Sequence, residues 1–168
     1  MPANTHSESD AFDDLVAAAD APVYIVTLAA GDERSGCLVG FASQVGVDPA
    51  RFLVCLSETN HTFRVAPGAE FAAVHLVGTD DAELAVLFGT QTGDEIDKFD
   101  RCRWRSGPHG VPILLDAVAW FCGRILTRHD FGDHVGLVLA PEDAAVPASA
   151  PAVLRLHDVA GLRPGHPA

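Results

Sequence analysis

Ser57-Glu58-Thr59-Asn60-His61-Thr62, with Arg64 two residues on, is the stretch of this 168-residue chain whose side-chain types and spacing best suit the capture of an anion. Its short hydroxyl and amide side chains make a polar turn, and Asn60 can cap a helix that begins at His61. A helix start leaves backbone N–H groups unpaired and carries a partial positive charge, so a phosphate or carboxylate finds donors there. Arg64, one turn in, would add a cation with forked donors. The same residues also read as an ordinary capped helix after a core strand, and residue types alone leave both readings open.

Other chemistry-bearing stretches are weaker. Gly89-Thr90-Gln91-Thr92-Gly93-Asp94-Glu95 lacks the Gly-Lys-Ser/Thr ending of a phosphate loop and carries acids where a cation is needed. It reads as a loop covering a site or as a solvated connection. In His129-Asp130-Phe131-Gly132-Asp133-His134 the two histidines stand five apart across a glycine turn. They would share no helix face, and no third ligand is evident, so no metal is expected. No Gly-x-Ser-x-Gly elbow supports a hydrolase, and no Gly-x-Gly-x-x-Gly follows a strand, so a Rossmann nicotinamide domain is excluded. Cys37, Cys55, Cys102 and Cys122 lie far apart without a C-x-x-C pair and read as reduced, structural thiols.

The elements that must hold these residues are short strands punctuated by Gly and Pro. Phe52-Leu53-Val54-Cys55-Leu56 is an unbroken apolar run, as expected of a strand covered on both faces. Upstream, residues 40–43 have little bulk apart from Phe41, so their backbone can lie close to a flat ligand. Residues 10–20 show helical spacing, and Pro22 ends that helix. Residues 23–29 read as the first long strand, residues 31–36 as a turn, and residues 37–41 as its hairpin partner. Residues 70–77 are a further strand, and residues 80–83 resemble a capping box ahead of the apolar helix face 84–88. Residues 111–115 and 117–128 alternate like a long hairpin, residues 129–133 form a turn, and residues 134–139 return. Residues 140–151 are a Pro/Ala linker, and residues 153–162 are expected to add a last edge strand.

The expected organisation is a flexible tail over residues 1–9, one domain over 10–143, and a Pro/Ala linker with an edge strand and frayed end over 144–168. The fold class is mainly β: an antiparallel, Greek-key-like barrel with a few short helices outside. At 48% hydrophobic the chain can build a substantial core. Its formal net charge of −12, with Lys98 the single lysine, disfavours nucleic acid and anionic membranes. Any phosphate site must therefore be local. The first nine residues have no apolar signal core and no run reaches membrane-span length, so a cytoplasmic protein is expected.

Residues 36–49, 51–56 and 57–64 resemble the flavin reductase-like family of FMN-binding split barrels. Leu84-Ala85-Val86-Leu87-Phe88, Lys98-Phe99, Trp104, Gly110-Val111-Pro112-Ile113-Leu114 and Gly132-Asp133-His134 follow in the order that family shows. The resemblance runs from about Val23 to Leu139. It implies a split β-barrel that forms a homodimer, with FMN or FAD in a cleft near the subunit interface. It implies hydride transfer from NAD(P)H to the flavin, and reduced flavin supplied to a two-component monooxygenase. A flavin-binding electron-transfer or storage protein without NAD(P)H oxidation is the alternative. By the same resemblance, Phe41, Ala42, Ser43 and Gln44 would contact the isoalloxazine edge. Ser57, Asn60, His61, Thr62 and Arg64 would hold the phosphate and ribityl chain, and Lys98 or Phe99 would close over from a loop. His134 would stand near the flavin and incoming nicotinamide as the catalytic residue. Trp120 and Phe121 would serve the barrel core or a dimer contact. The chain departs from the family pattern at Gly46, where a serine is usual, and at Ala50, in place of a second proline. The missing hydroxyl puts one flavin hydrogen bond in doubt.

Overall fold

The computed structural model describes residues 8–149 and 151–165. Strand β1 (Tyr24–Ala30) is the spine, because its residues alternate between two apolar layers. Val26 and Leu28 point into one core and Val23 and Ile25, on the other side, into a second. The other strands are β2 (Glu33–Val39), β3 (Ala42–Val47), β4 (Ala50–Ser57) and β5 (Phe71–Leu76), with β6 (Trp104–Ser106), β7 (Pro112–Leu114), β8 (Ala119–Asp130) and β9 (His134–Ala145) later in the chain. Seven of them form one antiparallel sheet in the order β2-β1-β5-β8-β9-β4-β3, and β6 pairs with β7 in a separate ribbon.

The first core holds Cys37 and Val39 of β2 together with Val54 and Leu56 of β4. Those strands stand near opposite ends of the sheet order, so the sheet must curl around that core for them to share it. The second core lies outside the curl. There Leu84, Ala85 and Phe88 of α3 (Ala82–Thr90) meet Phe99, Leu114 and Leu154. Besides α3, the helices are α1 (Glu8–Ala19), which buries no residue, α2 (His61–Val65) and α4 (Leu156–Val159). Gly36 takes its place for a steric reason: a Cβ there would lie 2.8 Å from the Phe88 ring and 3.0 Å from the Val26 carbonyl oxygen.

Several sequence expectations are corrected. Residues 42–47 form an edge strand of their own, β3, instead of continuing a loop. No capping box forms at residues 80–83, because residues 79–81 make a 3-10 turn and Asp81 caps without a side-chain hydrogen bond. Residues 112–114 pair with β6 and not with β8. Strand β9 runs on to Ala145, into the expected linker, so β8 and β9 form a long ladder around a turn at Gly132 (φ +99°). Residues 153–162 contribute isolated bridges at Val153 and Arg155 and then α4, where an edge strand was expected. Of the expected N-terminal tail, residues 1–7 lie outside the described residues, and Glu8 and Ser9 already belong to α1.

Candidate functional site

The turn that leaves β4 folds as its residue types require. Asn60 is extended (φ −80°, ψ 141°), and its Oδ1 accepts the Thr62 N–H at 3.0 Å. The helix it caps has five residues, too few to build a large macrodipole. Thr62 is fully buried, and its hydroxyl shares a 2.8 Å hydrogen bond with Ser35 on β2. The His61 ring lies between two carboxylates, with Nδ1 2.9 Å from Asp94 and Nε2 3.2 Å from Glu33. Arg64 pairs with the same Asp94. The Arg64 guanidinium, and then His61, hold the Asp94 carboxyl well below the usual carboxylate range. The loop expected to cover a site is thus tied by Asp94 onto α2.

Lys98 and Phe99 do not project from a closing loop. Lys98 is buried, with Nζ donating to the Gly36 carbonyl at 3.0 Å and the Phe88 carbonyl at 3.2 Å. Burial lowers its pKa, and no carboxylate stands among those acceptors to oppose this. Phe99 belongs to the outer core, edge-on to Phe88 and Trp104.

A cavity of about 560 Å³ opens between the end of β2, the turn after β4 and the start of β9. Leu38, Val39, Phe41 and Leu156 supply apolar wall, and Ser57, Thr59 and Asn60 supply hydroxyl and amide groups. The Phe41 and His134 rings meet there, centroids 5.0 Å apart and tilted by 57°. His134 Nδ1 is 2.8 Å from the Asp133 carboxylate, which that hydrogen bond pulls below its ordinary pKa. Cys37 and Cys55 also line the cavity. Burial pushes the Cys37 thiol up to about 11 and raises Cys55, so neither is a thiolate nucleophile at neutral pH. No lysine or arginine lines the cavity among the described residues, whereas Glu58 and Asp133 do.

Of the residues singled out by sequence, the cavity therefore gathers Phe41, Ser57, Asn60 and His134. Ala42, Ser43 and Gln44 lie on β3 beyond its lining; Ser43 Oγ donates to the Gln44 carbonyl, and Gln44 Nε2 to the Gly46 carbonyl. Thr62 and Arg64 serve contacts elsewhere, and His61, Lys98 and Phe99 line a separate cavity of about 300 Å³ beside Arg34 and Ser35. The glycine at position 46 has a local reason, since a Cβ there would lie 2.9 Å from the Pro49 carbonyl oxygen. Thr59 lines the cavity as part of the polar turn that the sequence marked, though without a role of its own there; sequence reasoning missed Leu156 and Pro164, far along the chain, for which there was no signal.

Residues 17–160 match the model of the flavin reductase like domain. The chain belongs to that family. It is 30% identical over 132 residues to an FMN reductase (NADH) RutF of Methylorubrum extorquens, covering 79% of this chain and 64% of that protein. It is 28% identical over 117 residues to the stachydrine N-demethylase reductase subunit Stc3 of Rhizobium meliloti, covering 67% of this chain and 50% of that one. The chain thus spans about half to two thirds of the length of these relatives. In fold it is similar to the NADH:FAD oxidoreductase SgcE6 of Streptomyces globisporus, with a TM-score of 0.77 at 22% identity over 91% of this chain and 92% of that one. Related folds with so little shared sequence support the curled antiparallel sheet and leave the chemistry to the site.

Proposed function

We propose that this chain is a flavin reductase that binds FMN or FAD in the 560 Å³ cavity, takes reducing equivalents from NAD(P)H, and delivers reduced flavin to an oxygenase component. The observation that carries this is the cavity's polarity. Aromatic and aliphatic side chains line it together with hydroxyl and amide groups, a mixture that suits an amphipathic ligand with a flat ring and a polyhydroxyl tail, while the carboxylates Glu58 and Asp133 leave a phosphate to the turn's backbone and Arg64. The volume lies within the range usual for small-molecule sites, about 300–1,000 Å³. The flavin, when bound, supplies the hydride-accepting chemistry.

The chain's own residues position and discriminate. Phe41 and the backbone at Gly40 form the surface along which a ring can lie, and Gly40 keeps that approach open. Ser57 and Asn60 offer neutral donors and acceptors to the tail. A phosphate draws on backbone N–H groups of the turn and on Arg64 once that side chain turns from Asp94. Asp133 orients the His134 ring through Nδ1, leaving Nε2 to meet the ligand as the catalytic hydrogen-bonding group. A homodimer fits the exposed apolar faces of α1, at Phe12 and Leu15, and of the β3 side, at Phe41, Val45 and Val47. An oxygenase partner is supported by the name of the Rhizobium relative, a reductase subunit of a demethylase. No described helix is long and apolar enough to cross a membrane, and action in the cytoplasm, where NAD(P)H is supplied, is part of the proposal.

The test is titration of the purified protein with FMN and FAD, followed by absorbance and thermal shift, with NADH or NADPH then added. Flavin-dependent nicotinamide oxidation is expected. Flavin binding without oxidation would point to the carrier or storage alternative, and no thermal shift with either flavin would refute the assignment.

A further inference from the structure

Residues 153–164 leave the sheet, bring Leu156 and Pro164 into the lining of the cavity, and place Leu162 beside Gly89 of α3. The first part is laced down by backbone: Leu154 N donates to Val77 O at 2.9 Å, Val23 N to Leu154 O at 3.1 Å, and Leu156 N to Ala21 O at 3.0 Å. Among the described residues the backbone hydrogen bonds from this segment to the rest of the fold stop there, because those of Asp158, Ala160 and Leu162 close within the segment. What holds α4 is side chains converging on Asp20. The His157 backbone N–H donates to Asp20 Oδ1 at 3.0 Å, its Nδ1 faces Oδ2 at 2.5 Å, and Arg155 Nη1 donates to the Asp20 carbonyl at 3.0 Å. His157 Nε2 faces Asp158 at 2.9 Å, so the ring is fixed from both sides. Asp20 sits in a left-handed conformation (φ +46°), which turns it towards the segment as the chain leaves α1. The N–H received from His157 also lowers its pKa.

Beyond this clasp the segment touches the site. Leu156 and Pro164 line the 560 Å³ cavity, and Leu156 Cδ2 lies 2.8 Å from where a Cβ on Gly40 would stand. Leu162 rests near Gly89 of α3, 3.6 Å from the equivalent position there. We propose that residues 153–164 are a strap that forms one wall of the flavin cavity and governs flavin release, with Leu156 and Pro164 facing the ligand and Asp20 clasping the strap through His157 and Arg155. This rests on the flavin-binding assignment. Leu154 stays buried in the outer core, whereas Leu156 and Val159 of α4 are only partly buried against it and the clasp through His157 is exposed, so residues 156–164 are the weakly held part of the strap, able to open without unfolding the sheet. Flavin that contacts Leu156 and Pro164 leaves faster when those residues lift away from it.

The experiment compares the full chain with His157→Ala and Leu156→Ala. FMN release is followed by recovery of FMN fluorescence on dilution, and amide hydrogen exchange is measured over residues 153–164 with and without FMN. His157 is largely exposed at its side chain (66%), so its replacement leaves the core intact. FMN should slow exchange of the strap in the unaltered protein. His157→Ala should speed FMN release by roughly fivefold, the upper end for a solvent-exposed ion pair, and Leu156→Ala should speed it by at least as much. Equal release rates in all three proteins, or strap exchange unchanged by FMN, would overturn the strap while leaving flavin binding intact. Absence of FMN binding by the unaltered protein would overturn the flavin assignment and the strap's role with it.

Discussion

His75 should make this fold acid-sensitive in a way that one substitution isolates. It lies next to the last residue of β5 with no exposed surface, Nδ1 3.1 Å from the Ile25 carbonyl oxygen and Nε2 accepting the Leu114 N–H at 3.1 Å. The carbonyl can only accept and the amide can only donate, so Nδ1 carries the proton, Nε2 is bare and the ring is neutral. Burial pushes the pKa down from the ordinary 6.5 to about 4, with the Ile25 hydrogen bond opposing only part of the shift. Between those values the unfolded chain binds a proton that the folded chain refuses. Stability is therefore full above about pH 6.5 and falls as the pH drops towards 4. At about 1.4 kcal/mol per pH unit the loss reaches about 3 kcal/mol, a large share of the 5–15 kcal/mol typical of a domain. His75→Asn cannot titrate in this range. It costs stability at neutral pH by breaking one of the two bonds, but the gap between the two proteins should close by about 3 kcal/mol on acidification. Taking the difference removes the contribution of every other titrating group. Urea unfolding followed by Trp104 and Trp120 fluorescence, at about pH 7 and about pH 4, measures it. Parallel losses in the two proteins would refute the reasoning.

Two further substitutions separate scaffold from site. Lys98→Ala strands the Gly36 and Phe88 carbonyls and leaves a void. Urea unfolding should show a loss of about 2–4 kcal/mol, and Lys98→Met, which refills most of the space, a smaller one. Asn60→Ala removes the α2 cap and should cost about 1 kcal/mol, read as a fall in Tm of about 2–4 °C, together with weaker FMN binding. Asn60→Asp keeps an acceptor for the Thr62 N–H and should restore Tm, yet bind FMN roughly tenfold more weakly by calorimetry, because a second anion then faces the phosphate. Unchanged FMN affinity in Asn60→Asp would place the phosphate away from this turn.

What could be read from sequence is what local chemistry dictates. The run Phe52–Leu56 announced β4, the β-branched residues around Val26 announced β1, and Asn60 announced the start of α2 to the residue. Strand β3 was hidden because an edge strand with one open face needs no apolar alternation, and Ser43, Gln44 and Gly46 give none. The destination of Lys98 was also illegible. A lone lysine in an acidic chain reads as surface, and only the approach of Gly36 and Phe88, 62 and 10 residues away, supplies the carbonyls that let it be buried. The same holds for Asp94, which meets His61 and Arg64 across 33 and 30 residues. Family resemblance located the turn and the His134 hairpin but could not say which neighbours point into the cavity, because that depends on strand register and on a C-terminal segment whose composition resembles a linker.

Strand β2 explains why side chains suited to binding became scaffold. Its far end, Val39 with the following Gly40 and Phe41, forms one wall of the cavity, and the turn Ser57–Asn60 forms the facing one. Backbone joins the two walls at one edge, where Cys55 N donates to the Phe41 carbonyl at 2.9 Å and β3 begins to pair with β4. Along the rest of β2, which is not paired with β4, side chains add to this: Glu33 meets His61, Ser35 meets Thr62, and Lys98 anchors Gly36 to α3 behind it. These three contacts recur every one or two residues along β2 and fix it against α2 and the helix layer. Cutting the buried Ser35–Thr62 bond would strand the Ser35 hydroxyl, so the register resists slippage by more than the modest net worth of a hydrogen bond. A cavity that must grip a flat ring needs its walls held to within fractions of an ångström. His61, Thr62 and Lys98 brace the walls from behind, while Phe41, Ser57, Asn60 and His134 line the cavity.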